Sequence, residues 1–442
     1  MFLMNLLRSI LVMALFCAWP GIALAQDAHF KVGFGQRDVT PKDSMPMWGY
    51  GDRHDAMSVG VLDPLYAKAI VVDVGNQKLA LVGLDLGRSP MPASNERIKA
   101  AVLKASGVTH VMMSGSHTHH GPVLELVDEP GKGQGKFDYA TRYPAELEAL
   151  IIEAINEAAS DVKDARIGWG SKHIDMNRNR HSKIEPKPRD TELSVIRFDS
   201  KRGKPLAVLV NFAAHPTNLP AGDLRFSAEY PGQMMNEVSR LMKTECVFMQ
   251  GASGDMSCKK GNDTNTIETF GKALAAEVVA IAEGIVTIVP ETASIQGQYD
   301  SFIYETRLDF GSSFIQTMFG QAFFPELANA FMDHLAGNQF TTYLTTVLVN
   351  GELALVGGSG EFFCEHANRL KARSRASKTL FFGYCNGHNM YFPTIEGAAE
   401  GGYGADATVS WVALGAGEEM MNTALINLYG MQGAYELPMA GL

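Results

Sequence analysis

The chain is 442 residues long, 46% hydrophobic and 19% charged, with a formal net charge of −10 at neutral pH. That apolar share over that length can bury a large core and excludes a disordered chain, while the negative balance argues against nucleic acid as a partner. Five cysteines in a chain of this size do not form a disulfide scaffold, and no Cys-x-x-Cys pair offers a thiolate zinc or dithiol redox site.

In chain order, residues 1–25 carry Arg8, an apolar run from Ile10 to Trp19, a Pro20-Gly21 break and Ala23-Leu24-Ala25 before Gln26. This is the pattern of a cleavable secretory signal peptide. The apolar run is too short to span a bilayer and no later segment is long and apolar enough, so residues 26–442 are expected to be exported, secreted or periplasmic, without a transmembrane segment. Export permits one or two disulfides among Cys246, Cys258, Cys364 and Cys385, and the sequence does not choose among the pairings. No linker, low-complexity run or fixed-period repeat interrupts 26–442, which reads as one elaborated catalytic domain.

Strand-like and helix-like segments alternate along it. Ala69–Val74, a Gly75-Asn76 turn and Leu79–Leu84 form a hairpin of buried strands. Ser94 is positioned to cap a helix that Gly107 ends. Leu147, Leu150, Ile151, Ala154, Ile155 and Ala158 make one apolar helical stripe, and Asn265 with Glu268 opens a helix ending near Gly284. Leu344–Val349 and Leu353–Val356 flank Asn350-Gly351, which suits a type I′ turn. The fold class expected is α/β, a mixed β-sheet core flanked by helices.

Six apolar strands hand unusual polar residues to the loops that follow them. Leu79–Leu84 delivers Asp85, Val111–Met113 delivers Ser116-His117-Thr118-His119-His120-Gly121-Pro122, and Leu206–Phe212 delivers His215-Pro216-Thr217. Cys246–Met249 delivers Gly254-Asp255-Met256-Ser257, Leu353–Val356 delivers Glu361, and Leu380–Phe382 delivers Tyr384 and Asn386. Ligands of α/β sheets bind where such loops converge, so one composite site is expected. On extended backbone His117 and His119 point the same way and His120 the other.

Clustered imidazoles read as a metal site. His117, His119, His215 and Glu361 can supply three ligands and one acid/base group, the usual complement of a catalytic zinc that keeps a position open for water. The His-Glu-x-x-His helix of zinc proteases is absent, and Gly251-Ala252-Ser253-Gly254-Asp255 lacks the second glycine of a nucleophile elbow.

At these residues the chain resembles the neutral ceramidase family, zinc-dependent amidases that cleave the N-acyl bond of ceramide. The motifs are Gly49-Tyr-Gly51, Asp85-Leu-Gly87, Ser116-His-Thr-His119, Asn211-Phe-Ala-Ala-His-Pro-Thr217, Tyr230-Pro-Gly232, Gly254-Asp-Met-Ser257 and Gly360-Glu-Phe362, in the family's order. The resemblance implies His117, His215, Glu361 and Tyr403 as ligands of Zn2+, His119 as the acid/base residue, Ser257 in the catalytic pocket and Arg180 holding the developing oxyanion. An amine anion is a poor leaving group, so a proton-carrying histidine is chemically required. Asp85 has two readings, orienting a ligand imidazole or closing a strand. The family's further C-terminal β-sandwich domain has no counterpart before Leu442, no tyrosine soon after Tyr403 offers a second oxyanion donor, and Ser257 is followed by Cys258-Lys259-Lys260.

The implied substrate is ceramide or a related N-acyl lipid, with contact at a membrane surface. A zinc hydrolase of another N-acyl compound or ester, and a non-catalytic lipid-binding protein, are the alternatives. Phe314, Ile315, Met318, Phe319, Phe323 and Phe324, before a helix from Pro325 toward Leu335, read either as a packed helix pair or as a mouth for acyl chains.

Overall fold

The structure, a computed structural model, describes residues 29–435; the expected signal peptide lies outside the described residues. The larger of two main sheets contains β1 (Lys31–Asp38), β2 (Tyr66–Asp73), β3 (Lys78–Leu84), β4 (His110–Gly115), β5 (Lys163–His173), β6 (Glu192–Ser200), β7 (Pro205–Phe212) and β8 (Glu245–Gln250). Their spatial order is β8-β7-β6-β5-β1-β2-β3-β4, with β8/β7 and β3/β4 parallel and the remaining pairs antiparallel. The second sheet has the order β9 (Ile295–Glu305), β10 (Gln339–Val349), β11 (Leu353–Gly358), β12 (Lys378–Phe382), the last pair parallel.

The two sheets face each other. Ile70, Val72, Leu79, Leu81, Met112 and Leu209 of the first pack in one core with Val347, Val349, Leu353, Leu355 and Leu380 of the second. Alternation sends Leu348, Ala354 and Val356 to the opposite face. The outer face of the large sheet is covered by α1 (Pro92–Ser106), α2 (Asp138–Ser160), α3 (Glu229–Met242) and α4 (Ile267–Gly284). The outer face of the second meets α7 (Cys364–Arg373) and α8 (Ala416–Met431), while α5 (Ser313–Ala322) and α6 (Pro325–His334) lie between β9 and β10 in sequence. The result is an α/β/β/α layering: the mixed-sheet core flanked by helices is as expected, and its division into two facing sheets goes beyond that expectation.

The α2 stripe read from sequence is buried at Leu147, Ile151, Ala154, Ile155 and Ala158. It lies directly on β1, where a Cβ at Gly33 would stand 2.0 Å from the Ala158 carbonyl oxygen; only glycine permits that approach. Asn350 and Gly351 both have positive φ, and the Glu352 amide donates to the Val349 carbonyl at 3.1 Å, as a type I′ turn requires.

Two helix starts differ from expectation. Pro92 occupies the first turn of α1, two residues before Ser94, whose hydroxyl instead donates to Glu148 at 2.6 Å. Thr266, not Asn265, caps α4, with Thr269 closing a reciprocal capping box. The four cysteines expected to remain after cleavage are buried free thiols, and Cys364 Sγ donates to Asp255 Oδ2 at 3.2 Å. Among the described residues no helix is long and apolar enough to cross a membrane.

Candidate metal centre

The loops after β3, β4, β7, β8, β11 and β12 converge at one point. After β4 the chain enters a positive-φ residue, His117 (φ 67°), whose amide donates to Leu86 O at 3.0 Å. Histidine adopts this left-handed conformation more readily than a branched side chain would, and here the imidazole is fully buried. His117 Nδ1 donates to the Gly87 carbonyl at 2.8 Å, and His215 Nδ1 to the Ser253 carbonyl at 2.6 Å. Carbonyls can only accept, so both Nδ1 atoms carry the hydrogen and both Nε2 atoms present lone pairs.

Those lone pairs meet. His117 Nε2 and His215 Nε2 are 3.0 Å apart, and Glu361 Oε2 lies 3.3 and 3.2 Å from them without hydrogen-bond geometry to either. Three buried acceptors facing one another are mutually repulsive unless a cation lies among them, so this donor set fits a metal of the kind that takes imidazole and carboxylate. His119 Nε2 adds to the group at 3.3 Å from His117 Nε2.

Burial and the nearby Arg180 charge push His215 down to about 3, and burial with the adjacent imidazoles holds His119 well below the ordinary histidine value. Both imidazoles are therefore neutral at neutral pH, the form that binds metal or accepts a proton. Tyr384 stacks on His117 with centroids 4.0 Å apart, and its hydroxyl hydrogen-bonds Ser253 Oγ at 2.8 Å. Trp48 meets His117, His119 and His388 in T-shaped ring contacts. Gly49 is pressed against His119: a Cβ there would meet the ring carbon Cγ at 2.5 Å.

Arg180 reaches the centre from the strand Asn177–Asn179, which pairs with Met256–Cys258. One of its nitrogens, Nη2, donates to the Gly254 carbonyl at 2.9 Å and to the Tyr391 hydroxyl at 3.0 Å, and lies 3.0 Å from His215 Nε2, three acceptors around two N–H groups. Ser257 stands in a bridge with His215, and its buried Oγ has no hydrogen-bond partner. Asp255 fastens this edge by accepting from the Cys364 amide and the Asn179 amide group, both at 2.7 Å.

His117, His119, His215, Glu361 and Arg180 are thus brought together. Tyr403 lies on the wall of the cleft that also contains His119, Arg180 and Glu361; it is 68% exposed and its ring is 5.6 Å from that of Tyr391. His120 turns away to meet Arg53 Nη2 at 2.7 Å, but not through strand alternation: the strand ends at Gly115, His117 has positive φ and His119–His120 form a turn, so the extended backbone expected there is absent. Sequence reading missed Trp48, His388 and Tyr391. Tyr391 is the register partner of Glu361 in a short parallel ladder, a pairing that two-residue strands leave almost no trace of in the sequence.

Asp85 closes a strand and orients no imidazole, since the Gly87 carbonyl already holds His117. Its Oδ2 accepts from the Tyr66 amide at 3.0 Å, and burial, opposed by Lys68, raises its carboxyl to about 7 from 3.8. The folded chain keeps a proton that the unfolded chain releases, so this group makes stability fall as pH rises from about 4 to about 7. Asp85→Asn should therefore raise the unfolding free energy measured in urea at pH 8 by up to about 4 kcal/mol, and change it little at pH 4. An equal change at both pH values contradicts this account.

The cleft over the centre encloses about 670 Å³. Phe323, Phe324, Leu327 and Phe331 line it, while Phe319 is buried and Phe314 and Met318 are exposed. The aromatic segment thus packs on one side and lines an apolar mouth on the other.

Two imidazoles and a carboxylate around one point, with a further histidine beside them and an apolar cleft above, are the equipment of a metal-assisted hydrolase. The family described as neutral/alkaline non-lysosomal ceramidase, N-terminal, matches residues 30–259, just over half of the sequence, and the chain belongs to that family. The neutral ceramidase of Pseudomonas aeruginosa is 23% identical over 266 residues, covering 53% of this chain and 38% of that protein. The crystal structure of neutral ceramidase from Pseudomonas aeruginosa superposes with a TM-score of 0.74 at 18% identity, covering 94% of this chain and 76% of that one. A ceramidase complexed with C2 gives 0.72 at 18% identity, covering 94% and 77%. These likenesses show a shared fold.

Proposed function

We propose that this chain is an exported, zinc-dependent amidase that hydrolyses the N-acyl bond of ceramide or a related N-acyl lipid to a fatty acid and an amine. The observation that carries the reading is the convergence of His117 Nε2, His215 Nε2 and Glu361 Oε2 within 3.3 Å of one another beneath an apolar cleft. When bound there, zinc supplies Lewis acidity, polarising the carbonyl and lowering the pKa of water.

The chain's own groups supply the rest. His119 accepts a proton from the attacking water and returns it to the departing amine nitrogen, the step an amide cannot do without. Arg180 carries a charge that a developing oxyanion can use, and its Nη2 is anchored by the Gly254 carbonyl. Ser257 Oγ, without a protein partner, is free to hydrogen-bond the substrate.

Of the two phenols, Tyr391 suits the fourth ligand and Tyr403 the oxyanion. Tyr391 is buried, shares one Arg180 nitrogen with His215 and pairs with Glu361, whereas Tyr403 stands on the cleft wall. Tyr391→Phe is expected to lower zinc affinity, and Tyr403→Phe to lower kcat by about 10²-fold with zinc content unchanged. The reverse result returns the ligand role to Tyr403.

The apolar wall gives the substrate class. Phe323→Ala or Phe331→Ala should raise KM for long-chain N-acyl substrates with little change in kcat, and leave short-chain analogues unaffected. The deciding experiment compares fatty-acid release from ceramide, N-acyl amino acids and simple esters by the purified, zinc-loaded protein. Turnover of esters alone would overturn the amidase reading, and tight lipid binding without any turnover would make the chain a binding protein.

A further inference from the structure

We infer that His388 is a positioning residue that pins the outer oxygen of Glu361, so that this carboxylate offers a metal one oxygen rather than two. The inference rests on the metal-centre reading above. Glu361 Oε2 faces His117 and His215, and Oε1 lies 3.3 Å from His388 Nε2. The side chains of Glu361 and His388 are 3% and 1% exposed, so no solvent competes for this contact.

A carboxylate can only accept, so Nε2 of His388 carries the hydrogen and donates it. A nitrogen engaged in this way has no lone pair for a metal. Its ring centroid is also 6.2 Å from that of His117, against 4.5 Å between His117 and His215.

The ring is held from behind. Arg88 Nη2 donates to the His388 carbonyl at 3.5 Å, and the Gly387 amide donates to Ser89 Oγ at 2.6 Å. Arg88 is itself fixed by Glu125 at 2.8 Å, and Trp48 packs against the imidazole in a T-shaped contact with ring centroids 5.4 Å apart. A run of contacts from Glu125 through Arg88 and His388 therefore ends on one carboxylate oxygen.

The chemical consequence concerns the number of coordination positions. A carboxylate with both oxygens free can close on a metal as a bidentate ligand and occupy the position that a catalytic site keeps for water. With Oε1 donated to by His388, only Oε2 remains for the ion, and partners of ligands commonly set metal affinity by 10–100-fold.

The test uses the full protein with His388→Phe, which keeps a ring but no donor, and His388→Gln, which keeps an N–H. Zinc affinity is read by competition with a chromophoric chelator, and coordination number from the visible absorption of the cobalt(II)-loaded protein. His388→Phe should bind zinc about 10–100-fold more weakly and show the weaker cobalt absorption of a higher-coordinate ion, and His388→Gln should restore most of both. If Phe does not fold, His388→Ala takes its place in the same comparison.

A His388→Gln protein as impaired as His388→Phe would make His388 a ligand and overturn the inference. So would a His388→Phe protein with wild-type affinity and spectrum. Failure of the wild-type protein to hold zinc or cobalt would instead overturn the metal-centre reading itself.

Discussion

His215→Ala is expected to lose bound zinc on dialysis and to lose hydrolysis by more than about 10²-fold, because even residues that merely support a ligand typically change affinity or activity by 10–100-fold. The reason lies in the lone-pair count. His117 and His215 each spend Nδ1 on a carbonyl, which leaves both Nε2 lone pairs directed at the point a cation would occupy, His215 Nε2 also lying 3.0 Å from the Arg180 guanidinium. Removing His215 leaves His117 and Glu361 with the proposed Tyr391 ligand, one nitrogen short of the set, and releases Arg180 Nη2 from its ring contact. Arg180 can then pair with the freed carboxylate, so the variant should stay folded. Metal analysis, activity and circular dichroism on one preparation check all three points. A His117→Ala/His215→Ala protein free of metal and still hydrolysing the substrate refutes the centre.

Much of this centre was legible in the sequence because strand chemistry is local. A buried strand is a short apolar run, and the polar residue after it belongs to the loop at its carboxyl end; His117, His215 and Glu361 were found that way. The α2 stripe and the Asn350-Gly351 turn were legible for the same reason, each needing only a period or a pair of positive φ angles. What escaped depends on pairing between remote segments. His388 follows Glu361 by 27 residues, and it reaches the carboxylate because Glu361–Phe362 and Tyr391–Phe392 form a parallel ladder.

For polar residues with several admissible partners the sequence does not fix the choice, and the fold makes it. Ser94 can cap a helix or bond Glu148, and Pro92 had already fixed the start of α1. Asp85 can orient an imidazole or accept the Tyr66 amide, and the nearer Gly87 carbonyl took the imidazole first. The cysteines have no strong signal in sequence, and the fold puts them in separate roles: Cys364 donates to Asp255, while Cys258 donates to the His215 carbonyl at 3.5 Å.

Glu125→Ala should destabilise the protein by about 3–5 kcal/mol, the usual cost of leaving one member of a buried ion pair alone. Arg88 and Glu125 are 2% and 0% exposed at their side chains and meet at 2.8 Å. The second carboxylate oxygen takes the Leu124 amide at 2.8 Å, so the pair is well bonded on the acid side. On the basic side, among the described residues, Arg88 has only long contacts besides Glu125, to the Ser89 carbonyl at 3.3 Å and the His388 carbonyl at 3.5 Å. A guanidinium cannot shed its proton to escape burial, so without Glu125 it must remain charged or pull the segment open. Replacing both residues by apolar ones of similar volume, Arg88→Met with Glu125→Leu, removes the stranded charge and should recover most of the loss. Urea midpoints of the wild type, the two single variants and the double variant, measured with chelator present, form the cycle that isolates the pair. Additive single effects summing to the double would show that the two side chains do not interact. Because Arg88 also carries the loop of His388, zinc affinity should fall in Glu125→Ala as well, which ties the stability of the fold to the geometry of the centre.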